Sequence, residues 1–166
     1  MAQKKYELTG EVKVLLGGRK LFRIKALISF SNVSEGDLGG WIEKESNLSQ
    51  GGNAWVYGNA EVCGNAEVYG DARVYGDARV CGNARVYGGA EVKKNDDLMW
   101  ISKIGSRNDT VTFMKSKDLK IIVAVGCFRG DIDEFEKKVE ETHRDNEHAQ
   151  AYKLAIQLAK LRINLD

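Results

Sequence analysis

The sequence predicts a mainly β protein with a short parallel β-helix of about three coils, flanked by an N-terminal β-hairpin and a C-terminal α+β module. Three observations predict this class: a six-residue repeat over residues 52–93, an alternating segment around Gly17-Gly18, and a non-repetitive C-terminal stretch. Proline is absent while glycine numbers 18, which favours tight turns between strands with unbroken ladders. We place the segments at 1–39, 40–93 and 94–166.

The first segment, residues 1–39, predicts a β-hairpin. Residues 6–30 alternate polar and apolar side chains on both sides of Gly17-Gly18, a dipeptide that suits a tight hairpin turn. Residues 36–41 then form a loop that leads into the repeats. We expect Trp41 and Leu48 to plug the start of the repeat interior.

The second segment contains seven consecutive hexads from Gly52 to Lys93. Each hexad opens with a Gly-Asn, Gly-Asp or Gly-Gly pair, which provides the strained backbone of a sharp corner. Alanine and valine follow two positions apart, so in a strand they point to the same side and fill a narrow interior. Degraded hexads extend the pattern upstream to Gly40.

This run resembles the hexapeptide repeat of left-handed β-helix proteins, the bacterial hexapeptide acyltransferase superfamily. The resemblance implies a left-handed helix with three hexads in each coil, so that residues 18 apart stack. On that geometry Cys63 lies close enough to Cys81 for a disulfide, although thiols are expected in a reducing cytoplasm. The remaining stacks would be Trp55 with Arg73 and Glu91, Glu61 with Arg79, Glu67 with Arg85, Tyr57 with Tyr75, and Tyr69 with Tyr87.

The third segment predicts three antiparallel strands followed by two helices. The strands are expected at 98–104, 110–114 and 119–127, with Cys127 as a small buried hydrophobic residue. Asp131 and Glu134 have the spacing of a capping box that opens the first helix. The second helix is expected from about Glu147 to Leu161. Its apolar residues cover more than one face, so it is either sandwiched in the module or part of an oligomer contact.

Composition predicts a folded protein with no long-range attraction to nucleic acid or to an anionic membrane. The formal net charge is +1, with 43% apolar and 30% charged residues. The chain has no apolar run of about 18 residues, and residues 1–6 lack the apolar part of a secretory signal. We therefore expect a cytoplasmic protein that does not contact membranes or bind nucleic acid directly.

The histidine pattern argues against an enzyme. The acyltransferases that this chain resembles use a histidine on the β-helix as a general base, yet the repeats contain none. The related γ-class carbonic anhydrase pattern needs three histidines for its metal, and the chain has only His143 and His148. We expect no catalytic residues, no cofactor and no metal site, with a hexapeptide acyltransferase as the alternative.

The full arrangement resembles small phage and prophage proteins that carry hexapeptide repeats. Residues 38–43 before the repeats and 100–107 after them carry this resemblance. It implies a non-catalytic, homo-oligomeric protein, a trimer or dimer, in the host cytoplasm. Such a protein would inhibit a host factor, such as a CRISPR or other immune effector, by protein–protein contact. The alternative is a sponge that sequesters a small nucleotide signal. Candidate binding residues are Trp55, Arg73, Arg79, Arg85, Tyr57, Tyr75, Tyr69, Tyr87 and Arg107.

Overall fold

The computed structural model describes residues 3–166 and shows a mixed α and β protein. The chain is 38% strand and 21% helix. The strands form four small sheets, none of which is a solenoid. The predicted class, a mainly β protein built as a left-handed β-helix, is therefore wrong. Each hexad contributes only two strand residues, whereas the C-terminal segment contributes a four-stranded sheet and two helices.

The N-terminal hairpin is confirmed. Strands β1 (Tyr6–Val14) and β2 (Lys20–Ala26) pair antiparallel, and the turn between them places Gly17 and Gly18 at φ of 95° and 84°. A third strand, β3 (Leu38–Ile42), pairs antiparallel with β2. These strands lead directly into the repeats because β3 also pairs parallel with a repeat strand.

The hexads form two-residue strands that pair in parallel with the strand 18 residues further along. The alanine and valine of every hexad are buried, and this part of the repeat prediction is confirmed. The predicted pairs of Trp55 with Arg73, Glu61 with Arg79, and Glu67 with Arg85 all occur in the ladders. The strands are β4 (Trp55–Val56), β5 (Glu61–Val62), β6 (Glu67–Val68), β7 (Arg73–Val74), β8 (Arg79–Val80), β9 (Arg85–Val86) and β10 (Glu91–Val92).

The carbonyl groups at the start of the repeat ladders bond to side-chain donors. Within the ladders, each N–H donates to a carbonyl on the following strand, so the first strands leave carbonyl oxygens without a ladder partner. The Lys5 ammonium donates to Ala54 O at 2.8 Å, and the Asn47 amide donates to Ala66 O at 2.8 Å. Both side chains are buried, so they replace water as partners.

At the end of the repeat ladders, the backbone N–H groups have no ladder partner and donate to side-chain acceptors instead. The backbone N–H of Arg79 donates to Asn95 Oδ1 at 2.8 Å, and that of Arg85 donates to Thr112 Oγ1 at 3.0 Å. Thr112 lies on a strand of the C-terminal sheet, so this sheet is joined to the repeats by the bond that completes the ladder.

The C-terminal segment is an antiparallel sheet packed against two helices. The predicted strand 119–127 is divided, because Gly126 at φ of 53° turns the chain. Cys127 lies in that turn and is exposed, so its predicted burial is wrong. The capping box is confirmed: Asp131 Oδ1 accepts from Glu134 N and Glu134 Oε2 accepts from Asp131 N, both at 2.9 Å. The elements are β11 (Leu98–Ile104), β12 (Asp109–Lys115), β13 (Ile121–Val125), β14 (Phe128–Asp131), α1 (Ile132–His143) and α2 (Glu147–Arg162).

Two apolar clusters form the core. One fills the repeat interior and extends under the hairpin, and the other lies between the C-terminal sheet and the two helices. Tyr6 and Leu48 are buried at the start of the repeat interior, as predicted for Leu48. Trp41 is not a plug: it lies on the outer surface between the cations of Lys13 and Arg23. Trp41 pairs with Glu61, which occupies the variable position of its hexad, so the two side chains point to the same outer face.

Candidate functional site

The predicted binding residues do not converge on one site. Trp55 is buried, with its ring edge-on to Tyr6 at 6.2 Å and to Phe30 at 5.4 Å between centroids. The variable hexad position normally points outward, but here the N-terminal segment covers it. Trp55 is therefore a core residue, and its predicted role in binding is wrong.

The first tyrosine stack is confirmed and is engaged within the chain. The rings of Tyr57 and Tyr75 stack at 4.4 Å, and the Tyr57 hydroxyl donates to Asn32 Oδ1 at 2.9 Å. Burial raises the pKa of Tyr57, which keeps its hydroxyl protonated. The guanidinium of Arg73 donates to Ser31 Oγ at 3.0 Å on the same side. These side chains attach the loop of residues 30–33 to the repeats.

Arg79 also has a partner within the chain. The Glu61 carboxylate is buried between two cations, and it forms ion pairs with Lys13 Nζ and with Arg79 Nε, the latter at 3.1 Å. Lys13 belongs to β1, so the pair of cations links the hairpin to the repeats. A buried carboxylate with two cationic partners is held in place by charge rather than left open to a ligand.

Arg85 and the second tyrosine stack lie at a cleft between the repeats and the C-terminal sheet. Tyr69 and Tyr87 stack at 6.0 Å, and the guanidinium of Arg129 lies over both rings, at 5.8 and 5.2 Å from their centroids. Arg129 Nε donates to the Tyr69 hydroxyl at 2.8 Å. Arg129 and Arg85 both donate to Gly126 O, at 3.0 and 3.4 Å. The sequence reasoning missed Arg129, because nothing in the chain order places β14 beside the repeats.

Arg107 is remote from the other predicted residues. It is exposed and lines a cavity in the C-terminal segment together with Cys127, His143 and Tyr152. The predicted set is thus divided among the core, three faces of the repeats and a separate cavity. Among residues 3–166 no cluster of three or more His, Cys, Asp or Glu side chains could hold a metal ion.

Three exposed apolar side chains lie at one end of the hairpin. Val12 is 46% exposed, Val14 61%, and Leu16 is fully exposed at 106%. They occur at alternate positions, so Val12 and Val14 point to the same side of β1. A row of apolar side chains at alternate strand positions is the kind of surface that another strand or sheet covers.

This row continues the buried interior of the repeats outward to the hairpin. The five-stranded sheet has the order β1-β2-β3-β5-β8. In its register Val80 pairs with Val62, Val62 with Ile42, Ile42 with Phe22, and Phe22 with Val12. Residues in register share a face, so an apolar row crosses all five strands and becomes exposed only at β1.

β1 is also the terminal strand of that sheet. Its only strand partner in the described chain is β2, so the backbone groups on its outer side have no strand opposite them. The sequence contained a signal for this site, namely alternating Val12, Val14 and Leu16 beside the glycine turn. By itself this alternation predicts only a hairpin, because it does not show which strand becomes the edge of the sheet.

No helix among residues 3–166 is long and apolar enough to span a membrane. Neither the known protein-family models nor the curated proteins contain a match to this chain.

Proposed function

We propose that this chain is a non-catalytic binding protein that captures a protein partner at the free edge of β1. The observation that carries the proposal is the apolar row of the five-stranded sheet, which runs from the buried Val80 to the exposed Val12 and ends at an unpaired strand. A partner strand that pairs with β1 would extend the sheet and cover the end of that row. Strand addition of this kind supplies affinity through backbone hydrogen bonds and specificity through alternate side chains.

The exposed side chains are large enough to support such a complex. Val12, Val14 and Leu16 together expose the equivalent of about two fully exposed aliphatic side chains, which corresponds to about 3–6 kcal/mol on burial. Backbone hydrogen bonds to the new strand add to this gain, and the loss of translational freedom opposes it.

The register indicates the chemistry of the partner. Lys20 is exposed and lies directly across from Val14, so a strand beside β1 meets apolar side chains with a cation close by. A partner strand that places apolar residues on this face, with an acidic residue on the same face near Lys20, fits this surface best. The resemblance to small phage proteins supports a host protein, such as a CRISPR or other immune effector, as the partner that is inhibited.

The test is a comparison of tagged full-length chains in a bacterial lysate, with quantitative mass spectrometry of the captured proteins. The test variant carries Val12→Lys and Val14→Lys, which place charge on the exposed row without touching the core. Leu119→Gln is the matched control, because Leu119 is an exposed aliphatic residue of the C-terminal segment.

We expect the same partner with the wild type and with Leu119→Gln, and a loss of at least about tenfold with the hairpin variant. Titration of the purified partner into each chain then measures the loss of affinity directly. Capture of an identical set of proteins by the hairpin variant would rule out β1 as the docking edge.

The cleft at Arg85 and Arg129 supports a second candidate, the sequestration of a small nucleotide. Two guanidinium groups donate to the same oxygen of Gly126, so two positive charges lie close together beside a pair of stacked tyrosine rings. Phosphate groups favour paired arginines of this kind. Thermal unfolding with cyclic dinucleotides and ADP-ribose, for the wild type and Arg85→Gln, tests it: a wild-type shift that the variant lacks supports the cleft, and no shift excludes it.

A further inference from the structure

A cavity in the C-terminal segment is lined by three polar groups that have no partner within the described chain. Its volume is 250 Å³, and it lies where the β11–β12 turn, the β13–β14 turn and α1 meet. Helix α2 contributes Tyr152 to its lining. None of the lining side chains belongs to β1, to the repeats or to the cleft of Arg85 and Arg129, so the cavity is a separate candidate site.

The inner wall of the cavity is aromatic and apolar. Phe135 and Val139 are buried, and Phe128 is half-buried. The ring centroid of Phe135 lies 5.2 Å from that of Phe128 and 5.3 Å from that of Tyr152, with Phe135 and Tyr152 edge-on. The imidazole of His143 packs beside Tyr152, 5.8 Å between centroids. A wall of this kind favours a planar apolar group, which can pack edge-on or offset against the rings.

The Tyr152 hydroxyl is a buried polar group that is free to bind a ligand. The residue is 7% exposed, and its hydroxyl lies against Gly105, where an added Cβ would overlap it. This hydroxyl forms no hydrogen bond with any other group of residues 3–166. Burial, and next the charge of Asp109, raise the pKa of Tyr152, so the hydroxyl stays protonated and can donate to an acceptor.

Two opposite charges at the mouth of the cavity also lack partners. Arg107 is exposed and forms no ion pair in the part of the chain that the structure describes. Asp109 is half-buried, and its Oδ2 lies 3.5 Å from the position that a Cβ on Gly126 would take. Only Oδ1 of this carboxylate accepts a hydrogen bond. Lys138 also lines the cavity, but its Nζ lies 3.9 Å from Glu141. The mouth thus offers one free positive and one free negative charge.

We propose that this cavity binds a free aromatic amino acid. The ring of the ligand packs against Phe128 and Phe135, and its two charged groups lie at the mouth. The ligand carboxylate accepts hydrogen bonds from the Arg107 guanidinium and the Tyr152 hydroxyl, and the ligand ammonium donates to Asp109 Oδ2. Charge-assisted hydrogen bonds of both signs fix the orientation of such a ligand, while the rings supply the apolar contact.

Ligands with a single charge fit this arrangement less well. An aromatic acid pairs with Arg107 but leaves Asp109 without a donor, and an aromatic amine pairs with Asp109 but leaves Arg107 without an acceptor. A nucleotide is too large, because cavities for drug-sized ligands have volumes of about 300–1,000 Å³. The cavity is smaller than that range, which favours a ligand with one ring system and a short charged end.

Isothermal titration of the full-length chain with L-phenylalanine, L-tyrosine and L-tryptophan tests the proposal. We expect at least one of them to bind with a dissociation constant of about 10–500 µM, as suits a small ligand with two charged contacts. Two analogues of phenylalanine separate the charges: 3-phenylpropanoate lacks the ammonium, and phenethylamine lacks the carboxylate. Each should bind at least about tenfold more weakly than phenylalanine. An analogue that binds as tightly as the amino acid overturns the proposal.

Substitutions at the mouth test the assigned contacts. Arg107→Gln and Asp109→Asn should each weaken binding at least about tenfold. Tyr152→Phe should weaken it about fivefold and leave the thermal unfolding temperature unchanged, because the hydroxyl has no partner in the chain to lose. Arg162→Gln is the matched control, since Arg162 is exposed and lies outside the cavity. Wild-type affinity in the Arg107 and Asp109 variants, or a Tyr152→Phe chain that loses stability and keeps its affinity, overturns the proposal.

The thiol of Cys127 reports whether the ligand occupies this cavity. Cys127 is exposed and lines the cavity, and it is the single free thiol because Cys63 and Cys81 are joined. Saturating amino acid should slow its alkylation by iodoacetamide at least about threefold in the wild type, and not in Arg107→Gln at the same concentration. An unchanged rate in the wild type, with none of the three amino acids giving heat on titration, overturns the proposal. β1 is intact in every variant, so these outcomes are independent of whether it binds a partner.

Discussion

The buried ammonium of Lys5 should make the folding stability of this protein depend on pH in an unusual direction. The residue is 2% exposed, and its Nζ lies 2.8 Å from Ala54 O and 3.4 Å from both Gly51 O and Gly52 O. It has no carboxylate partner within ion-pair distance, since Lys5 is in none of the ion pairs of residues 3–166. Its charge is held by these carbonyl dipoles and by the ring of Phe30, whose centroid lies 5.1 Å from Nζ.

Burial lowers the pKa of Lys5 from 10.5 to about 8. The folded chain then releases this proton at a lower pH than the unfolded chain does, so the unfolded chain holds more protons between about pH 8 and 10.5. Stability therefore rises with pH across that window and is flat below it. Linkage with these two pKa values gives a rise of about 2 kcal/mol in the free energy of unfolding from pH 8 to pH 10.

Urea denaturation of the wild type and Lys5→Met at pH 7, 8, 9 and 10 measures this effect. Methionine keeps the length of the side chain and removes the ammonium. The stability of the wild type relative to the variant should rise by about 2 kcal/mol between pH 8 and 10. The range stops at pH 10 because burial raises the pKa of Tyr6, which lowers stability at higher pH. Lys20→Met, an exposed control, should leave the pH profile unchanged. Parallel profiles for the wild type and Lys5→Met would refute the reasoning.

Three further substitutions test the ladder ends, the packing and the cross-link. Asn47→Ala removes the donor to the part-buried carbonyl of Gly64 and the buried carbonyl of Ala66, and urea denaturation should show a loss of about 2–3 kcal/mol. Gly39→Ala would place a Cβ 2.6 Å from Val56 O, so the backbone must shift, and thermal unfolding should show a loss of about 1–3 kcal/mol. Cys63→Ser removes the bond to Cys81, which spans 18 residues. It should lower stability by about 3 kcal/mol under oxidising conditions and by much less with a reductant present.

The disulfide itself departs from the sequence-based expectation. The sequence predicted that Cys63 and Cys81 lie side by side, and their Cα atoms are 4.7 Å apart. Thiols were expected because of the predicted compartment, whereas the structure joins the two sulfur atoms. Spacing along a regular repeat determines proximity, but the oxidation state depends on the surroundings of the chain.

The regular part of the fold could be predicted because every hexad repeats the same local choices. Pairs such as Glu61 with Arg79 follow from a fixed spacing of 18 residues. The predicted fold class was nevertheless wrong, because the repeat, although it is obvious in the sequence, supplies only two-residue strands. The C-terminal segment, which includes β14, contributes a four-stranded sheet and two helices, but its sequence has no repeat that predicts them as clearly.

The candidate site depended on facts that no local pattern contains. Val12 and Phe22 are paired apolar residues on one face of the hairpin, yet Val12 is exposed and Phe22 is half-buried. The difference arises because β1 is the last strand of its sheet and β2 lies between two others. Trp55 shows the converse, since it occupies an outward position and is covered by a distant segment.

The sequence alone determined the corners, the inward alanines and valines, and the partners 18 residues apart, because these follow from local backbone geometry and a constant period. Only the tertiary structure decided which strand is an edge, which leucines of α2 stay bare, and which side chains complete the ladder ends. Those outcomes depend on contacts between segments far apart in the chain. Lys5 and Ala54, 49 residues apart, show this most directly.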